Sequence, residues 1–74
     1  ANVMPIRSIA ITQQDLADVY EKLQQNAQAL EYHQKSVEMF NLLEQKNALG
    51  EYDRKHFEKS QKAIIRLQEK WKIY

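Results

Sequence analysis

The sequence predicts an all-α fold, an antiparallel helical hairpin followed by a long C-terminal helix, in a single domain over residues 1–74. One glycine, Gly50, and one proline, Pro5, leave almost no punctuation for turns. Gln, Lys, Glu, Leu and Ala dominate the rest, and these residues enter helices at little cost. Apolar and small side chains then recur at spacings of three and four, the repeat of one helix face.

Pro5 suits the first turn of a helix, where its missing N–H removes no bond. Ile6, Ile9, Gln13, Leu16, Tyr20 and Leu23 follow at spacings of 3, 4, 3, 4 and 3. The first helix therefore begins near Pro5; the competing start is Thr12, a hydroxyl cap with Asp15 three residues on. It ends around Gln24, with Asn26 as the expected cap of the next helix. That second helix covers about residues 27–45, placing Ala29, His33, Ser36, Phe40 and Leu43 on one stripe, with Leu30 and Val37 beside it. Leu16, Tyr20 and Leu23 are the expected facing stripe, and the small Ala17, Ala29 and Ser36 let the two backbones approach. Asp18 with Lys22 and Glu31 with Lys35, acid before base at four-residue spacing, mark the outer surface.

A break over residues 46–50, with Asn47 as a cap, separates the hairpin at residues 10–43 from a third helix over residues 47–74. Phe57, Ser60, Ile64, Leu67, Trp71 and Tyr74 fall at heptad spacing on it. Phe57, Ile64, Leu67, Trp71 and Tyr74 are therefore a candidate self-association seam. The same stripe also serves to pack the helix on the hairpin, the reading favoured over pairing with another chain, though the spacing leaves both open.

A domain of this size buries only about 60% of its unfolded surface, so help from a neighbour is expected. Without cysteine there is neither a disulfide nor a thiolate metal site to supply it. The net charge of +1 is too small to argue for nucleic acid. It is uneven, however, with four Lys/Arg against six Asp/Glu up to Gly50 and seven against four beyond it. No apolar run approaches the roughly 20 residues that span a bilayer.

The residues of the hairpin resemble a tetratricopeptide repeat (TPR), a helix-turn-helix unit of about 34 residues. Its first helix carries a large apolar residue, a small one and then an aromatic, here Leu16, Ala17 and Tyr20. Its second carries small, aromatic and small residues, here Ala29, His33 and Ser36, with His33 where Tyr or Phe is usual. The turn departs from the family, having Gln24, Gln25 and Asn26 where a glycine, an Asp or Asn and an aromatic are common. The resemblance covers residues 10–43 and does not repeat, since Gly50, Glu51 and Arg54 stand one period further on, as at the end of an array. It implies a module that binds a protein or peptide partner, excerpted from a longer chain, with Gln13, Gln14, Ala17, Asp18 and Glu21 toward the partner. VYEKL and ALEYHQK also resemble the terminal repeat of sensor regions in bacterial two-component histidine kinases, where a long helix then leads toward the membrane. Trp71, Lys72 and Tyr74 suit such an approach, and a membrane enters only if the parent continues into a transmembrane span.

Catalytic and cofactor chemistry finds little footing. His33 and His56 belong to no metal-ligand motif, Ser8, Ser36 and Ser60 have simpler roles in turns and packing, and no glycine-rich loop exists to cradle a phosphate. Neither a metal nor another cofactor is expected. The leading reading is thus a non-catalytic interaction scaffold, with a homo-oligomer through the C-terminal helix as the alternative. A helix-turn-helix nucleic-acid binder using Arg54, Lys55, Lys59, Lys62 and Arg66 ranks third, because the first two helices are net acidic; no nucleic acid is expected.

Overall fold

A computed structural model describes residues 4–72, and side chains for residues 5–69. Three helices follow in order, α1 (Met4–Lys22), α2 (Asn26–Gln45) and α3 (Glu51–Lys72), with no strand among the described residues. The all-α three-helix unit is thus as expected, and α1 takes the earlier of its two candidate starts.

Both turns close the helix before them by the same device. Gln24 adopts φ 60° and Asn47 φ 56°, the left-handed conformation that usually goes to glycine. Gln24 N donates to Glu21 O and Gln25 N to Tyr20 O, at 3.0 and 2.9 Å, satisfying carbonyls that α1 leaves orphaned. Asn47 N to Glu44 O and Ala48 N to Leu43 O repeat the pattern at 3.0 and 2.9 Å. Asn47, expected to cap the third helix, therefore ends the second. Asn26 is not a cap either: Gln25 holds that place and makes no side-chain capping bond. Gly50 precedes α3, its N–H donating to Asp53 Oδ2 at 3.3 Å, and Glu51 and Asp53 place negative charge in the first turn, where the helix dipole favours it.

The hairpin packs through small side chains. Ala10 and Ala17 on α1 and Ala29 and Ser36 on α2 are all fully buried, and Ser36 Oγ donates to Ala10 O at 2.8 Å. Every member of the predicted α2 stripe is buried. On α1 the packing stripe is instead Arg7, Ala10, Gln14, Ala17 and Glu21, one residue further along than predicted. Leu16 and Leu23 are exposed and Tyr20 is half-buried, its ring stacked on Tyr32 with centroids 5.5 Å apart. One residue is 100° of rotation, so the apolar row lies on the flank of α1.

α3 runs parallel to α1, since residues of rising number meet in order: Arg7 with Asp53, Gln14 with Ser60, Glu21 with Arg66. Its buried residues Phe57, Ser60, Ala63 and Leu67 face inward. Phe57 meets Phe40 of α2 with ring centroids 5.9 Å apart, in a cluster with Ala10 and Leu43. Two members of the candidate self-association seam, Phe57 and Leu67, are therefore occupied within the chain, and Ile64 is half-buried. The Trp71 side chain and Tyr74 lie outside the described residues. No helix among those described is long and apolar enough to cross a membrane.

Candidate interaction surface and the buried polar seam

α1 presents two unlike faces, and the polar one is turned inward. At its start Arg7 Nε donates to Asp53 Oδ1 and Oδ2 at 2.9 and 3.0 Å, and Arg7 Nη2 donates to Ala48 O at 3.1 Å. Burial pushes the Asp53 carboxyl up, but the Arg7 hydrogen bonds, the Gly50 N–H and the guanidinium charge outweigh it and hold the pKa below the ordinary range. Two turns on, Gln14 Nε2 donates to Ser60 Oγ at 2.7 Å and to His56 O at 2.6 Å, and Gln14 Oε1 accepts from His56 Nδ1 at 2.5 Å.

From Ser60 the network continues into α2. Ser60 Oγ lies 3.1 Å from His33 Nδ1, and His33 Nε2 lies 3.0 Å from Glu21 Oε1. The Glu21 carboxylate can only accept, so His33 Nε2 carries the proton and donates it, and in the neutral ring Nδ1 accepts from the Ser60 hydroxyl. Arg66 Nη2 reaches the other Glu21 oxygen at 2.6 Å, and Lys59 Nζ reaches Asp18 Oδ2 at 2.9 Å. Burial raises the Glu21 pKa, yet Arg66 and His33 bring it to a net lowering.

Two chemical readings of this seam are limited by its geometry. Ser60, His33 and Glu21 are connected in the order of nucleophile, base and acid, but Ser60 and His33 are both fully buried. A substrate carbonyl has no approach to that hydroxyl in this fold. Asp18, Glu21 and His33 also offer ligand atoms within 4.8 Å of one another. Both carboxylates are already paired with cations, Lys59 and Arg66, so the cluster is electrically neutral and holds no spare charge for a divalent ion. Connecting α1, α2 and α3 is what the seam is built for.

The residues expected to meet a partner divide accordingly. Gln14 and Ala17 are buried between the helices, and Asp18 and Glu21 are half-buried and tied to α3. Gln13 is half-buried on the outer flank, and its Oε1 is buried without a hydrogen-bond partner. Of the five basic residues considered for phosphate contact, Lys59 and Arg66 are spent on Asp18 and Glu21, while Arg54, Lys55 and Lys62 remain on the surface. Reasoning from sequence missed the pairing of Arg7 with Asp53 and of Gln14 with His56 and Ser60. The available signal was a polar row, Arg7, Gln14 and Glu21, at seven-residue spacing on one face of α1.

The second face of α1 is apolar and open. Ile9, Leu16, Val19 and Leu23 are 46%, 40%, 51% and 59% exposed. They lie on the side of the hairpin turned away from α3, with Gln13 and Tyr20 completing the row. The shallow depression on α3 bounded by Glu58, Gln61, Lys62, Ile64 and Ile65 is a smaller, mainly apolar patch on the outer surface of a single helix, edged by the Glu58 and Lys62 charges. No protein-family model matches the chain, and no curated protein and no solved structure matches it either.

Proposed function

We propose that the chain is a non-catalytic, TPR-like protein-interaction module that docks its partner on the outer flank of α1. The observation that carries this reading is the row Ile9, Leu16, Val19 and Leu23, four large apolar side chains left in solvent on one side of a hairpin whose interior is otherwise filled. Scattered apolar residues on a surface need no explanation, but an aligned row next to aromatic side chains with few charges is the composition of an interface core. The resemblance to a terminal repeat supports the same reading and extends it to a segment of a larger regulatory or sensor protein, including a two-component sensor region.

A photo-crosslinking residue placed at Leu16 or Leu23, compared with one at Lys55 or Lys62 on α3, tests this. Cross-linked protein is expected from the two α1 positions. Cross-links confined to positions 55 and 62 would move the interface to α3 and overturn the assignment.

A further inference from the structure

Resting on the reading of the α1 flank as a docking surface, we propose that its occupant is a second copy of this chain, packed α1 against α1, parallel and in register at Gln13. Three observations select a copy of itself over another partner. Ile6, Ile9, Gln13, Leu16 and Tyr20 hold the alternating three- and four-residue spacing of a two-helix seam along α1, and Leu23 continues it into the closing turn. Ile9, Leu16 and Leu23 of that row are exposed and Ile6, Gln13 and Tyr20 half-buried, whereas Phe57, Ser60 and Leu67 of α3's comparable row are fully taken up inside the chain.

The exposed positions beside the row, Thr12, Val19 and Gln24, carry no charge. Two identical faces meeting across a two-fold axis set like against like, which is costly for a charged face and free of that repulsion here. A charged partner would find no complement on this surface.

Gln13 supplies the third observation, because its Oε1 is buried without a donor. An amide carries both a donor and an acceptor, so two Gln13 side chains related by a two-fold can bond each other reciprocally once each turns toward the seam. A single polar residue within an apolar seam also fixes register. Orientation follows from the placement of Gln13 within the row, four residues after Ile9 and ten before Leu23. An antiparallel pair centred on Gln13 would set Leu23 beyond the start of the partner helix, whereas a parallel pair sets every residue opposite its own copy. α1 has 19 residues, about 28 Å of contact length.

The chain contains no cysteine, so single-cysteine variants of the full 74-residue chain report on proximity without background. Sedimentation equilibrium is expected to give a dimer, and mild oxidation to give an interchain disulfide for Leu16→Cys and none for Ile65→Cys on α3. Leu16→Glu should weaken dimerisation roughly a hundredfold or more, since both copies lose a buried leucine and gain a facing charge; Ile65→Glu should leave it unchanged. Circular dichroism checks that each variant keeps its helices, and the Leu16→Cys cross-link decides the matter if Leu16→Glu fails to fold. A wild-type chain that stays monomeric to millimolar concentration overturns the proposal, as does a dimer cross-linked through position 65 and not 16. Monomeric chain combined with cross-links from Leu16 to a different protein would sink the second copy alone and leave the docking surface standing.

Discussion

Removing the Asp53 carboxylate should destabilise this fold more than any other single change at a charged residue. Asp53 is almost completely buried and accepts from Arg7 Nε at 2.9 and 3.0 Å, from Arg7 Nη2 at 2.9 Å and from Gly50 N at 3.3 Å. Truncating one member of a buried, hydrogen-bonded ion pair costs about 3–5 kcal/mol because the other charge is left without a partner. The Arg7 side chain is 29% exposed and retains its bond to Ala48 O, so water compensates in part and the pair term falls to about 2–3 kcal/mol. Loss of the Gly50 contact adds up to about 1 kcal/mol. Asp53→Ala is therefore expected to cost about 2–4 kcal/mol, and Asp53→Asn less, because the amide oxygen still accepts from Gly50. A domain of this length holds roughly 4–11 kcal/mol in total, so Asp53→Ala should lower Tm by more than about 10 °C. Urea unfolding at fixed chain concentration, in a double-mutant cycle with Arg7→Met, isolates the pair. A loss below about 0.5 kcal/mol for Asp53→Ala, or a coupling near zero, would refute the claim that this ion pair anchors α3.

Three further outcomes follow from the same contacts. Asp53 and Glu21 have folded-state pKa values below their unfolded ones, so their stabilisation is fully present above the unfolded carboxylate pKa of about 4. It is lost as pH falls through the lower folded values; the urea midpoint should drop steeply below about pH 4, and a flat midpoint from pH 6 to 3 would contradict the assignment. Gln24→Gly should raise stability by about 0.5–1 kcal/mol in thermal melts, because φ 60° costs a side-chain-bearing residue what it does not cost glycine. Ser60→Ala should cost about 1–3 kcal/mol by leaving His33 Nδ1 without its donor. In nitrogen-15 spectra of the imidazole, wild type should show the proton on Nε2, and a proton on Nδ1 would reverse the direction of the relay.

Legibility in the sequence was uneven for physical reasons. The α2 stripe could be read in full because Ala29, Ser36, Phe40 and Leu43 are residue types that hydrophobicity or size places inside, and His33 falls at their spacing. The α1 stripe could not, because its members Arg7, Gln14 and Glu21 are polar, and their partners on α3 are more than 40 residues away. Hydrophobic periodicity found a genuine row on α1 and assigned it to the wrong side. Both turns were legible as helix ends, at Gln24 and over residues 46–50, but their left-handed geometry was not, since its usual marker, glycine, is absent from both Gln24 and Asn47.

Why α1 accepts exposure of its apolar row can be worked from the alternatives. Turning α1 by one residue would bring Ile9, Leu16 and Leu23 onto α2, a gain of about 1 kcal/mol each for side chains that are now about half exposed. The same turn would move Arg7 away from Asp53, Gln14 away from Ser60 and His56, and Glu21 away from His33, stranding buried polar groups at about 1–3 kcal/mol apiece. It would also replace Ala10 and Ala17 at the helix crossing with Ile9 and Leu16, forcing the backbones apart and opening the contact between Ser36 Oγ and Ala10 O. The observed rotation therefore wins by several kcal/mol within one chain, and its remaining deficit is the exposed row. A neighbour that covered this row would recover the apolar burial without breaking the polar seam, which is the arrangement proposed for the α1 flank.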